Sequence, residues 1–214
     1  ADVDGHDACR KICILAALAF GRHVYPDQVE TQGIRAVTLE DAGYAASQGY
    51  QIKLLGRAIR QPEGRVMAFV APHLVPGGNP LSGVEDVFNA IAITGDAIGD
   101  AMFYGRGAGK LPTASAVVAD IMDIAKDLRR DHRNSWEEGA PDLVVSPREL
   151  ASPWYVRAGA REGELQAALG QLQPLSRAGA PAGETAAITA PMTQPQLEER
   201  LAGLEVRSRF RVLA

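Results

Sequence analysis

Nine consecutive residues, Ile12-Cys13-Ile14-Leu15-Ala16-Ala17-Leu18-Ala19-Phe20, carry no charge, and Gly21 closes the run. A helix over residues 4–20 accommodates them: Asp4 serves as the N-cap, Asp7 three residues on gives a box-like acidic first turn, and Gly21 supplies the terminating residue. Past Lys11 this helix is apolar all round, which predicts burial on every side and sets its charged residues at the mouth of a core. The run is far shorter than the roughly 20 residues a bilayer span requires. Arg10 and Lys11 precede it as basic residues precede the apolar part of a signal peptide, but Asp2, Asp4 and Asp7 give the wrong charge for one. No membrane association is expected. The chain begins at Ala1 and enters a charged motif at once, which reads as a cut or processed N-terminus.

The remainder of the 214 residues fits one large domain or two small ones. With 46% hydrophobic and 22% charged residues, disorder and a disulfide scaffold are excluded. The net charge of −4 gives no basic surface for nucleic acid or anionic lipid. A second helix is expected from Leu39 to Gln48, between Thr38 and Gly49. Strands follow near 51–60, 65–71, 87–94 and 100–104, with Pro62-Glu63-Gly64 as a hairpin turn, forming a mainly antiparallel sheet. A long helix runs from Pro112 or Thr113 to about Arg129 on the period of Ala116, Val117, Ala119, Ile121, Ile124 and Leu128. Residues 131–147 are polar and contain Pro141 and Pro147, which marks a linker. Beyond it come strand (Trp154–Ala158), helix (Glu162–Leu172), strand (Leu175–Ala178), strand (Thr185–Ala190), helix (Gln194–Leu204) and strand (Val206–Leu213). That βαββαβ order is ferredoxin-like. The fold class expected is therefore α+β: a mixed, largely antiparallel sheet with covering helices over 1–130, then a small ferredoxin-like domain over 148–214. The latter carries +1 and the rest −5, too slight an asymmetry to specify a partner.

Chemistry is concentrated in two stretches. In Asp2-Val3-Asp4-Gly5-His6-Asp7-Ala8-Cys9-Arg10-Lys11, Asp7 and Lys11 stand at i, i+4 and share a helix face. A lysine beside a carboxylate at the edge of a buried helix can pass a proton, and the carboxylates can hold an ammonium or orient a hydroxyl. From spacing alone an ordinary surface ion pair, worth under about 1 kcal/mol, remains the competing reading. His6, Cys9 and Cys13 fall at i, i+3 and i+7, a spacing that can gather a soft metal, but no fourth-ligand motif accompanies them and no metal is expected. Two cysteines in an apolar run suit a reducing cytoplasm. The second stretch is Tyr104-Gly105-Arg106-Gly107-Ala108-Gly109-Lys110-Leu111-Pro112-Thr113, where backbone amides can approach a phosphate or a flat cofactor ring. It fails the phosphate-loop pattern, because Leu111 stands where Ser or Thr should follow Gly-Lys. It also fails the full dinucleotide fingerprint, for no second strand with a ribose-binding acid follows.

At these stretches the sequence resembles homoserine dehydrogenases. Asp2-Val3-x-Gly5-x-Asp7-x-x-x-Lys11 is similar to the C-terminal half of that family's signature. Asn79-Pro80-Leu81, Asn89-Ala90-Ile91, Gly95-Asp96, Gly105-Arg-Gly107-Ala-Gly109 and Pro112-Thr113-Ala114-Ser115-Ala116 resemble the end of its catalytic domain. The likeness covers about residues 1–130. Residues 148–214 resemble the ACT regulatory domain of bacterial members, though Arg161-Glu162-Gly163-Glu164-Leu165 replaces the family's Asp-x-Pro-Gly-Val-Leu tendency.

The resemblance implies reduction of L-aspartate 4-semialdehyde to L-homoserine with NADPH or NADH, on the route to threonine, methionine and isoleucine. It assigns Lys11 as the proton-transferring lysine, Asp7 as the substrate-orienting carboxylate and Asp2 as a further substrate-site acid. It sets Gly105, Gly107 and Gly109 near the nicotinamide and packs the helix from Thr113 on the nucleotide-binding domain. That N-terminal domain, which holds most of the NADP or NAD contacts, and the glutamate before the signature are absent from this sequence, so a fragment inactive by itself is expected. A homodimer or higher oligomer is expected too, because the 87–94 strand and the 113–129 helix lack cover. The competing function is a non-catalytic amino-acid-binding regulatory or assembly protein.

Overall fold

A computed structural model describes residues 1–128 and 136–214. The strands and helices are β1 (Glu30–Thr31), β2 (Tyr50–Arg60), β3 (Val66–Pro76), β4 (Phe88–Gly95), β5 (Gly99–Arg106), β6 (Val144–Val145), β7 (Trp154–Ala158), β8 (Leu172–Leu175), β9 (Thr185–Thr189) and β10 (Val206–Val212), with α1 (His6–Phe20), α2 (Leu39–Ser47), α3 (Lys110–Lys126), α4 (Glu162–Leu169) and α5 (Gln194–Arg200). They form two compact units, Ala1–Gly77 with Ser135–Ala214, and Gly78–Asn134.

In the first unit β3 is the hub. One edge pairs antiparallel with β2 from Tyr50↔Pro76 to Arg60↔Val66, across the Pro62–Gly64 turn. The opposite edge takes three strands in succession, all parallel: β6 at Val66 and Met67, β1 at Phe69 and Val70, and β10 at His73 and Leu74. From β10 the sheet continues antiparallel through β7, β9 and β8. The βαββαβ order holds, and its strands lie in the order fourth, first, third, second. Side chains alternate across each strand, so each face collects its own helices. Cys9, Ile12, Cys13 and Ala16 of α1 pack on Val66, Ala68 and Val70. Tyr44 and Ala45 of α2 pack on Leu74, Tyr155, Ile188 and Phe210. Leu165 and Leu169 of α4 and Leu197 of α5 cover the opposite face at Trp154, Val156 and Ala187. Removing any one of these buried leucine side chains costs about 2–5 kcal/mol.

The second unit consists of the β4–β5 hairpin, paired from Phe88↔Arg106 to Gly95↔Gly99, and α3. Ile91, Ile93, Met102, Phe103 and Tyr104 of the hairpin and Val117, Val118, Ile121, Met122 and Ile124 of α3 are exposed.

Several expectations need correcting. The strands expected between 51 and 104 do not share one sheet, because among the described residues β4 and β5 pair only with each other. The helix near the N-terminus starts at His6, not Asp4; Gly5 is its N-cap and no side chain caps it. It is not buried all round, since Ile14 and Leu18 are exposed. Its end is as expected, with Gly21 in the left-handed region donating its N–H to the Ala17 carbonyl. The expected linker lies partly outside the described residues. Of the remainder, Leu143 is buried against α1's core and Val144–Val145 form β6, so this stretch belongs to the sheet. No described helix is long and apolar enough to cross a membrane.

Candidate active site

Sequence and local geometry set Asp7 and Lys11 together. Gly5, at φ 79°, turns the chain into α1, and a side chain there would crowd Thr31 Cγ2 at 3.0 Å and Val70 Cγ1 at 3.3 Å. Only glycine suits both demands. Asp7 then falls in the first helical turn and Lys11 one turn on, and Lys11 Nζ lies 2.6 Å from Asp7 Oδ2. Their side chains are 60% and 47% exposed. An exposed pair of this kind stabilises a fold by well under about 1 kcal/mol, so its stability value is small while both groups stay open to a ligand. Beneath them Cys9, Ile12 and Cys13 anchor the helix to the sheet, which fixes the pair's position.

Asp2 is exposed on the turn that feeds α1, where its carbonyl accepts the Gly5 N–H at 3.1 Å and the Ala1 carbonyl accepts the His6 N–H at 2.9 Å. Asp4, expected as a cap, is held instead by Arg35 Nε and Nη2 at 2.5 and 2.9 Å. Those hydrogen bonds keep the Asp4 carboxyl below the usual range and push Arg35 up. Gly105, Gly107 and Gly109 belong to the second unit. Gly105 pairs with Asn89 and a Cβ there would meet open space. A Cβ on Gly107 would run into Asn89, and Gly109 is the N-cap residue of α3. Cys9 donates from Sγ to the Pro26 carbonyl, while burial pushes the Cys13 thiol up to about 12. Cys13 is therefore no activated nucleophile.

Sequence reading missed the most heavily bonded side chain of the first unit. Asp41 of α2, fully buried, accepts from Arg157 Nε at 2.7 Å, Tyr155 Oη at 2.8 Å, Ser208 Oγ at 2.7 Å and the Thr38 N–H at 3.1 Å. Arg157 also reaches Glu184 Oε2 at 3.0 Å, and Glu184 receives Tyr44 Oη and Arg207. Burial raises the Asp41 carboxyl, but hydrogen bonds from Arg157, Ser208 and Tyr155 outweigh it and leave the group below its ordinary value. The Thr38-x-x-Asp41 capping box is visible in sequence; its partners, more than a hundred residues away, are not. Where β1 and β10 leave β3 uncovered, a groove of about 450 Å³ opens among Thr31, Phe69, Pro72, Arg209 and Arg211.

The first unit is an α+β domain that presents a lysine–carboxylate pair from a helix anchored on its sheet. The family model "Homoserine dehydrogenase" matches residues 1–122. The homoserine dehydrogenase of Lactococcus lactis is 39% identical over 156 residues, 72% of this chain and 36% of that one. The Pseudomonas aeruginosa enzyme is 38% identical over 172 residues, 75% of this chain and 38% of its own. Among solved structures, a homoserine dehydrogenase from Thiobacillus denitrificans superposes with a TM-score of 0.83 at 29% identity, covering 99% of this chain and 54% of that one. The Staphylococcus aureus enzyme at pH 7.5 gives 0.78 at 35% identity, covering 100% and 54%. This chain belongs to the homoserine dehydrogenase family, and it spans between a third and two-fifths of the length of these two curated relatives.

Proposed function

We propose that this chain is the substrate-binding and C-terminal part of an enzyme that reduces L-aspartate 4-semialdehyde to L-homoserine with NADPH or NADH. The observation that carries the reading is the 2.6 Å Lys11–Asp7 contact, open to solvent on a helix the core holds in place. The nicotinamide, when bound, supplies a hydride. As the aldehyde oxygen gains negative charge, Lys11 Nζ donates a proton to it; a positioned general acid typically contributes 10² to 10⁴ in rate. Asp7, 2.6 Å from Lys11 Nζ, aims the ammonium, while Asp2 accepts the substrate's α-ammonium. Gly105 leaves room for a flat ring beside β5, and Gly107 and Gly109 shape the turn into α3.

Residues 1–130 form the catalytic part in this reading and 148–214 an ACT-like module, joined through the stretch that supplies β6. The exposed apolar residues of α3 and of the β4–β5 hairpin are covered by the nucleotide-binding half and by a second copy, giving at least a homodimer. Two buried free thiols suit a reducing cytoplasm. The test is steady-state kinetics of a chain of full family length, followed through nicotinamide absorbance. Lys11→Ala is expected to lower turnover about 10²-fold or more with the fold intact. Turnover near that of the unaltered enzyme would remove the proposed role of Lys11, and no reduction of the semialdehyde by the unaltered enzyme would remove the proposed function.

A further inference from the structure

The segment that carries Asp2 is held from outside α1 by a strap formed of residues 32–35. Ile34 donates its N–H to the Val3 carbonyl at 2.8 Å, and the strap passes so close that a Cβ on Gly33 would lie 2.2 Å from that carbonyl and 2.6 Å from Asp4 Cα. Arg35 then closes the crossing with its two-pronged hold on Asp4. Three residues further along the chain, Thr38 caps α2 and is bound into the buried Asp41–Arg157 cluster, so the strap has a fixed base. Lys11, by contrast, is positioned by α1's own packing on β3 and needs no strap.

We infer that Arg35 is a positioning residue for the substrate: by gripping Asp4 it holds the Asp2-bearing turn at a fixed place relative to the Asp7–Lys11 pair. The inference rests on the function proposed above and deepens it. A planar guanidinium bonded through two nitrogens fixes direction as well as distance, which a lysine at the same position cannot do. Asp4 stays ionised well below neutral pH, so the grip persists across the working range. Freeing the turn loosens the group that binds the substrate's ammonium and leaves the proton donor where it was. The consequence falls on KM, with kcat nearly untouched.

The experiment uses the full-length enzyme with Arg35→Ala, Arg35→Lys, Asp4→Asn and the Arg35→Ala/Asp4→Asn pair, beside Lys11→Ala. Arg35→Ala and Asp4→Asn are expected to raise KM for the amino-acid substrate about tenfold, with kcat within about threefold. The double variant should be no worse than either single, and Arg35→Lys should recover part of the loss. An unchanged KM for Arg35→Ala, or a lower kcat and melting temperature at constant KM, overturns the role of Arg35 provided Lys11→Ala has lost turnover. Retained turnover in Lys11→Ala overturns the proton-donor role of Lys11, whereas no reduction of the semialdehyde by the unaltered enzyme overturns the proposed function and the role of Arg35 with it.

Discussion

Replacing Asp41 by alanine should be among the most damaging single changes available in the first unit. The carboxylate is fully buried and accepts from a guanidinium, a phenol, a serine hydroxyl and the backbone of its own capping box. Deleting it strands three buried donors, the Arg157 Nε–H, the Tyr155 hydroxyl and the Ser208 hydroxyl. Each unsatisfied group costs about 1–3 kcal/mol, and removing one partner of a buried ion pair costs about 3–5 kcal/mol in all. Arg157 keeps Glu184 at 3.0 Å, so its charge is not wholly abandoned. The Thr38 side chain still caps α2 through the backbone N–H of residue 41, so only the return bond from the Thr38 N–H is lost there. The expected loss is about 4–5 kcal/mol, roughly a 10 °C fall in melting temperature for a chain of this size. Asp41→Asn keeps one acceptor for Tyr155 and Arg157 but turns an amide toward the Thr38 N–H, so about 2–3 kcal/mol is expected.

Urea and thermal unfolding of both variants give the measurement, with pH as a second axis. Because the folded pKa of Asp41 lies below its unfolded value, its contribution is present above about pH 4 and is lost as pH falls through the folded pKa. Asp41→Asn should therefore flatten the acid limb of the stability curve. A loss under about 1 kcal/mol for Asp41→Ala would refute the claim that the cluster is dry and fully bonded.

Two further outcomes follow from the first unit. His73 is buried with Nδ1 against the Ala71 carbonyl, and burial, with the charges of Arg57 and Arg211, pulls its pKa down to about 4; its ring should stay neutral by NMR well below pH 6, while stability contributed by the neutral imidazole declines as pH falls from about 6.5 toward 4. At the entry to α4, the Glu164 carboxylate already accepts the Arg161 N–H at 2.9 Å and its guanidinium at 2.7 Å, and Glu205 lies within 2.6 Å of a Cβ built on Gly159; calorimetric titration with L-threonine should show no saturable heat at micromolar concentration, and such a heat would show that the turn still receives a carboxylate.

How much of this was legible in the sequence depended on whether the signal was local. Gly21, the Thr38-x-x-Asp41 box and the strands of 154–212 are written within a few residues of the structure they cause, and each expected element begins within about three residues of its expected place, although β3 runs on to Pro76 and α5 stops at Arg200. Helix α3 started two residues before the expected Pro112, because a proline in the first turn displaces no intrahelical N–H bond. What was hidden is what β3 imposes. Strands β1 and β6 are two residues each, too short to show an alternating pattern; they exist because β3 offers an unpaired edge. That same edge accepts β10, so the stretch read as a linker between domains had to become part of one sheet.

The candidate site follows the same division. Asp7 and Lys11 are one helical turn apart, so their meeting was contained in the spacing. An aspartate before an apolar run has the local use of a cap, but in Asp4 a partner 31 residues away claims the carboxylate instead. Once Asp4 is withdrawn from the cap, α1 can begin only through a residue that tolerates the left-handed turn, and Gly5 stands there with Val70 and Thr31 leaving no space for more. The glycine of the motif thus serves the start of α1, while the aspartate beside it serves Arg35. Asp2, Asp7 and Lys11, the residues proposed to act on the substrate, all lie open to solvent beside the crossing of strap and helix.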